Sequence, residues 1–210
     1  MSPLPILLIC GCQRYKEYLT AAIERFGRQP GWEVIGVVGG ADTSFDSETH
    51  VLTVAAGDTY ETLPAKLHAA FVWISKHRPL CPGVFKTDDD MVFDRVALVD
   101  TIYSNLVVPY WGVKVDACSA GVIDTSRIGE RFLNASVTPT HPAAVYCFGA
   151  GYWISARALK VVIAAGDDFR SSYIEDVCTG FVLNRASIVP QRIRVPYREE
   201  KRTPDLLLLK

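Results

Sequence analysis

No stretch of the 210-residue chain is long and apolar enough to cross a bilayer. The N-terminus, MSPLPILLICGCQRYKEYL, has no basic region before its short apolar run and no small-residue cleavage pattern after it, so it does not read as a secretory signal. Charge of one sign is missing too. The 22 Lys and Arg nearly match the 23 Asp and Glu, leaving a net charge of −1 and nothing that suggests a nucleic-acid groove. The locally basic RIRVPYREEKR reads as a solvated edge. There is no CxxC pair, and the six cysteines sit mostly in apolar runs, as reduced core thiols of a cytoplasmic protein would. GxxxxGKS/T is absent, which excludes a P-loop NTPase, and HExxH and GxSxG are absent as well. Neither VVGG nor GAG fits GxGxxG, so a dinucleotide site has little support. No repeat or low-complexity linker divides the chain.

What is present suits one domain with a substantial core, since 49% of residues are hydrophobic. PILLIC reads as a buried strand ending at Gly11, and YKEYLTAAIERFG as an amphipathic helix closed by Gly27. WEVIGVVGG and HVLTVAA follow as strands. From Thr59 to Lys76 the apolar residues Leu63, Leu67, Ala70, Phe71 and Ile74 share one helical face. GVFKT is the next strand, and DRVALVDTIYSNL a helix with Asp94 as N-cap. YWGVKVDA reads as a strand. Gly121 to Pro142 is weakly patterned, and VYCFGAGYWIS is apolar with small residues. ARALKVVIAAG and IEDVCTGFVLNRA read as helices, SIVPQRIRVPY as a strand or extended edge, and the terminal LLLLK as a docked tail or a cut from something longer. This alternation predicts an α/β domain with a largely parallel sheet.

The stretch VFKTDDDMVFD places three carboxylates at the carboxyl end of a strand, where such sheets bind ligands. A solvated turn is the plain alternative, since Asp is common in turns. Asp88 and Asp90 are two apart, and in extended chain that spacing turns both to one face with Asp89 opposite. Carboxylate oxygens suit Mg²⁺ or Mn²⁺ and leave coordination positions for substrate phosphates.

Four segments taken together resemble the β-1,3-galactosyltransferase family, relatives of Fringe. FKTDDDMVF is similar to its K-T-D-D-D-V-F. DTYETLPAKLHAAFVWI is similar to D-x-Y-x-N-L-T-x-K, with Asp58, Tyr60, Leu63 and Lys66 matching and Thr62 replacing the Asn. VYCFGAGYWIS resembles Y-C-S-G-G-G-Y-V-L-S, and EDVCTGFVLN resembles E-D-V-Y-V-G-L-C-L. The order and separations agree from Asp58 to Asn184. CQRYKEYLTAAI keeps only a trace of R-R-x-A-I-R-x-T-W. No His follows His141, whereas family members commonly carry a late His that helps bind the metal. Family members are usually Golgi proteins with a membrane anchor. This chain begins almost at its first strand, so the expectation is a stripped catalytic core.

The resemblance implies a GT-A fold. It also implies an inverting, metal-dependent transfer of galactose, glucose or N-acetylglucosamine from a UDP-sugar to a glycan or glycoconjugate. The single domain would divide into a donor half, residues 1–115, and an acceptor half, residues 116–210. Asp90 would be the direct ligand of Mn²⁺ or Mg²⁺. Asp88 would reach the metal or ribose, and Asp89 the ribose. Gly11, Arg14, Gly39, Asp58, Lys66, Lys86, Gly149 and Gly151 would line the nucleotide-sugar site, with Asp58 and Lys66 as an ion pair under the donor loop. Asp176 would be the base and Glu175 its support. Tyr152 and Trp153 would form a sugar platform or be core aromatics. A nucleotidyltransferase and a non-catalytic glycan-binding module are the competing readings.

Overall fold

The computed structural model describes residues 3–122, 140–170 and 172–197. Most of the weakly patterned stretch between Gly121 and Pro142 and the terminal LLLLK lie outside them. The chain runs β1 (Ile6–Cys10), α1 (Lys16–Gly27), β2 (Glu33–Gly40), β3 (Ser44–Asp46), β4 (Val51–Ala55), α2 (Leu63–His77) and β5 (Gly83–Asp88). It continues through α3 (Arg95–Ser104), β6 (Tyr110–Cys118), β7 (Gly121–Val122), β8 (Thr140–His141), β9 (Ala144–Ser155), α4 (Ala156–Ala164), α5 (Gly166–Phe169), α6 (Glu175–Arg185) and β10 (Gln191–Arg192). Among the described residues no helix is long and apolar enough to cross a membrane.

Eight strands form one sheet in the order β10-β6-β9-β5-β1-β2-β4-β3, with β7 and β8 a separate hairpin. β4, β2, β1 and β5 are mutually parallel. β9 runs against both β5 and β6, and β3 runs against β4. The expected largely parallel sheet is therefore present, with two reversed strands that periodicity did not reveal. Helices cover both faces, and each face carries its own core. One joins Leu67, Phe71 and Ile74 of α2 to Leu159 and Val162 of α4 and Cys178 and Leu183 of α6. The other joins Leu19, Ile23 and Phe26 of α1 to Phe85, Phe93, Leu98, Trp111 and Trp153. All six cysteines are free thiols, four of them buried. Asp94 caps α3 as expected, its carboxylate accepting the Ala97 N–H at 3.1 Å.

Two features position the site. β1 leads through α1 to β2 on one side, while β5 pairs on its other side, so the connection reverses at β1 and opens a crevice at the strands' carboxyl ends. The backbone ladder continues past the strand ends: the Gly11 N–H donates to Val37 and the Asp89 N–H to Cys10. The second feature is a bulge in β9. β6 advances only from Gly112 to Lys114 while β9 runs from Cys147 to Tyr152. The extra residues, Phe148 to Gly151, bend the strand over the end of β5, as bulges beside functional sites do.

Helix α6 is buried along nearly all its length and packs on β9. Gly180 makes that approach possible. A Cβ there would lie 2.5 Å from the Tyr146 Cβ and 2.7 Å from the Val145 carbonyl oxygen. Ala is the better helix former by about 1 kcal/mol, but the clash requires α6 to move away from β9, and overpacking costs about 1–3 kcal/mol. The clash, against backbone as well as side chain, should prevail: Gly180→Ala is expected to lower unfolding stability by up to roughly 2 kcal/mol on those two terms, seen as a lower urea midpoint. A raised midpoint would mean that α6 has room to spare.

Candidate active site

Two buried lysines flank the end of β1. The first, Lys66 on α2, donates from Nζ to the Gly11 carbonyl at 2.6 Å and to Asp58 Oδ1 at 2.9 Å. Asp58 in turn accepts the Gly39 N–H at 2.7 Å and the Gln13 N–H. The expected Asp58–Lys66 pair thus exists, but not as a surface pair, since the Lys66 side chain is only 4% exposed. It fastens the ends of β1 and β2 together. Gly39 must be glycine there, because a Cβ would come within 2.6 Å of the Ala56 and Gly57 carbonyl oxygens. Gly11 is tight as well, since a Cβ there would lie 3.0 Å from Leu19 and 3.1 Å from the Asp89 carboxylate, closer than ordinary van der Waals contact. Arg14 stands apart: it is exposed and lies over the Tyr15 ring.

The second lysine is Lys86 on β5, 1% exposed. Its Nζ donates to Asp88 Oδ1 at 2.8 Å and to the Gly149 carbonyl at 2.7 Å. It also lies 2.7 Å from Glu175 Oε1, an ion pair outside hydrogen-bond geometry. Burial opposes its charge, but the Asp88 and Glu175 carboxylates outweigh that and hold its pKa well above the ordinary lysine value. Lys86 was expected to touch the nucleotide sugar. Instead its ammonium is enclosed by protein acceptors.

The triplet is arranged differently from the extended-chain expectation. β5 ends at Asp88, and a turn follows in which the Met91 N–H reaches the Asp88 carbonyl at 3.3 Å. Alternation therefore sets Lys86 and Asp88 on one face, and Asp90 comes from the turn. Asp90 is exposed and Asp89 half-buried. Burial, with Asp90 and Asp88 adding repulsion, raises Asp89 to about 6.

Glu175 and Asp176 open α6, where the helix dipole favours carboxylates. Glu175 is enclosed: Lys86 holds one oxygen and the Tyr152 hydroxyl donates to the other at 2.8 Å. Asp176 accepts the Gly149 N–H at 2.8 Å through Oδ2 and the Val177 N–H at 2.8 Å through Oδ1. Gly149 is thus held at both backbone groups, and a Cβ there would approach both carboxylates. Burial first, then the neighbouring Glu175, raises Asp176 from an ordinary 3.8 to about 7, against the opposing pull of Lys86 and the two N–H donors.

The remaining expectations separate cleanly. Gly151 is required by packing, since its Cβ would touch the Phe85 and Phe93 rings. Tyr152 and Trp153 are fully buried, which removes the sugar platform and leaves them as core aromatics. Sequence reasoning missed Gln13, whose N–H donates to Asp58 and whose side-chain amide reaches the Gly39 carbonyl at the β2 end, and Tyr197, which bridges Phe93 behind the triplet and directs its hydroxyl at the Gly151 carbonyl. Only chain folding brings these residues in, so no local signal could have found them.

Among the described residues no three His, Cys, Asp or Glu side chains gather into a ready-made metal cluster. The hard oxygens of Asp88 and Asp90 nevertheless fit a divalent cation whose other ligands come from substrate phosphates. Asp88 offers one oxygen beyond that bound to Lys86.

The Galactosyltransferase family profile matches residues 43–194. Human Beta-1,3-galactosyltransferase 2 is 24% identical over 134 residues, which is 63% of this chain and 32% of that protein. The match therefore spans about a third of that relative's own length. Two solved structures share the fold. One is a 4-diphosphocytidyl-2C-methyl-D-erythritolsynthase from Anaerococcus prevotii, with TM-score 0.55 and 12% identity, covering 99% of this chain and 94% of that one. The other is a glycosyltransferase involved in glycosylation of the major capsid of PBCV-1, with TM-score 0.51 and 9% identity over 91% and 82% of the two chains. The GT-A-type α/β fold expected from the resemblance is borne out.

Asp176 generates a pH prediction. Between its ordinary 3.8 and about 7 the folded chain keeps a proton that the unfolded chain has released. Stability therefore falls as pH rises through that window, and the penalty is complete above 7. Asp176→Asn removes it, so the variant should unfold at a higher temperature than the parent at pH 8. A gain of ~1 kcal/mol would appear as about 2–4 °C in a chain of this size. The gain should vanish below pH 4. Equal melting temperatures at both pH values would mean that the carboxyl is not perturbed.

Proposed function

The chain belongs to the galactosyltransferase family, and from that premise we propose that it is a glycosyltransferase. It moves a hexosyl group from a UDP-sugar to a hydroxyl of a glycan or glycoconjugate, with inversion at the anomeric carbon. The observation that carries this reading is the buried Asp176, raised to about 7 and locked to Gly149, directly behind the Lys86–Asp88 pair at the end of β5. A base with a pKa near the working pH is efficient, and inversion needs one base on the acceptor side.

The geometry supports the following roles. The acceptor hydroxyl oxygen bonds to the anomeric carbon while its proton passes to the Asp176 carboxylate. The bond from that carbon to the diphosphate oxygen breaks, and its electron pair leaves with UDP. Mn²⁺ or Mg²⁺, held by Asp90 and Asp88, would neutralise charge on the departing diphosphate. Asp89, beside Gly11 and at the end of the β1 ladder, is placed for the ribose. Asp58 and Lys66 fix the backbone of Gly11, Gln13 and Gly39, where the nucleoside would lie. Glu175 takes the supporting role, its carboxylate facing the Lys86 ammonium on one side and the Tyr152 hydroxyl on the other. It supports Asp176 from behind.

Incubation with UDP-hexoses, Mn²⁺ and candidate glycans should release UDP. Asp176→Asn should lower turnover by roughly 10²–10⁴, the usual range for a lost general base, while calorimetry shows UDP affinity nearly unchanged. Proton NMR of the product should show a β linkage from an α-linked donor. Release of pyrophosphate would point to nucleotidyl transfer instead. Full turnover in Asp176→Asn would place the base elsewhere.

A further inference from the structure

Lys86 connects two carboxylates that the proposed reaction uses on opposite sides. Its buried ammonium touches Asp88, on the donor side, at 2.8 Å and Glu175, next to the base, at 2.7 Å. The third contact, the Gly149 carbonyl, belongs to the same residue whose N–H is bound by Asp176. One cation therefore touches Asp88 and Glu175 directly and meets Asp176 through Gly149, leaving out the turn that carries Asp89 and Asp90. It sits where it repels any second cation that approaches Asp88.

We propose that Lys86 is a positioning residue that acts as an internal counter-ion. It holds Asp88 before a donor arrives, competes with the divalent cation for that carboxylate, and turns towards Glu175 when the cation–diphosphate unit takes Asp88. Donor loading thereby sets the carboxylates beside the acceptor. The inference rests on the metal reading proposed above and adds a role for a residue whose ammonium is enclosed by protein groups.

A purely structural lysine and a competing one respond oppositely to removal. Lys86→Met alone would leave two carboxylates without a partner, one of them buried, so it is combined with Glu175→Gln. Breaking a buried pair by removing one partner is strongly destabilising, whereas replacing both is tolerated. Mn²⁺ affinity in saturating UDP is then measured by calorimetry for the wild type, Glu175→Gln, Lys86→Met/Glu175→Gln and Asp88→Asn. The double variant should bind Mn²⁺ roughly fivefold or more tightly than Glu175→Gln, the effect of one unit charge about 4 Å away under aqueous screening. Asp88→Asn should bind most weakly. Equal or weaker binding by the double variant, with Mn²⁺ bound by the wild type, overturns the counter-ion role and leaves the metal reading standing. No Mn²⁺ binding by the wild type overturns both. A second measurement needs no change at Lys86: the ¹⁵N resonance of its ammonium in the intact protein should shift when Mg²⁺ and UDP are added together, and should not shift in Asp88→Asn. An unmoved resonance in the wild type overturns the proposal.

Discussion

An ammonium removed from water must be repaid in contacts, and Lys86 shows how far that requirement shapes a fold. The effective penalty for burying such an ion is several kcal/mol, so it needs hydrogen-bond acceptors and opposite charge around it. These come from three elements: Asp88 at the end of β5 and Gly149 on β9 accept hydrogen bonds, and Glu175 on α6 adds its charge at 2.7 Å. Those elements have to meet at one point. β9 reaches it only because its bulge carries Gly149 over the end of β5. Helix α6 reaches it because Gly180 lets it lie against Tyr146 and Asn184 accepts the Val145 N–H at 2.9 Å. The contact that gathers the acidic residues is the same one that closes this side of the sheet.

That arrangement is unfavourable for the carboxylates themselves. Asp89 and Asp176 are both raised, chiefly by burial and then by their acidic neighbours. A chain selected for stability alone would disperse them. Here six carboxylates and two lysines crowd the ends of β1 and β5, and the lysines do not cancel the strain completely. Strongly shifted carboxylates in a crevice are what acid–base chemistry needs, which is why perturbed groups concentrate at such sites. The strain also falls at the strand ends, where it disturbs neither of the two apolar cores.

Sequence periodicity gave the alternation of strands and helices, because each element's apolar spacing is local. It also gave Asp94 as a cap, since an N-cap bonds three residues ahead. It could not show that β9 is reversed, because direction is fixed by pairing with β5 and β6 and not by any pattern within VYCFGAGYWIS. For the same reason the glycines in that segment looked alike. In fact Gly149 faces two carboxylates and Gly151 faces Phe85 and Phe93. The spacing of Asp88 and Asp90 misled for a different reason. Same-face alternation holds only while the strand continues, and β5 stops at Asp88. The rule applies correctly one step earlier, to Lys86 and Asp88, and that pair is the one the structure forms. The resemblance named Tyr152, Lys86 and Gly149 but not their bonds to the site's carboxylates, and Gln13 and Tyr197 enter through tertiary contacts alone.

The two lysines differ in what they hold, and the difference divides the crevice into a fixed part and an adaptable one. Lys66 and Asp58 bind backbone groups of Gly11, Gln13 and Gly39, and no side chain there can shift without breaking a buried hydrogen bond. Such a surface can only accept a ligand of matching shape, which suits the invariant part of a substrate. Lys86 binds two carboxylate side chains besides the Gly149 carbonyl, and the nearby Asp89 and Asp90 belong to a turn tied by the Asp89 N–H to Cys10 and by the long Met91-to-Asp88 bond. Side-chain carboxylates can rotate to meet a charge that comes and goes with each turnover. The backbone-lined end of β1 and β2 therefore suits recognition, and the carboxylate-lined end of β5 and α6 suits a changing charge. Lys86 joins the two sides of that end, with Asp88 of β5 at 2.8 Å and Glu175 of α6 at 2.7 Å from its ammonium.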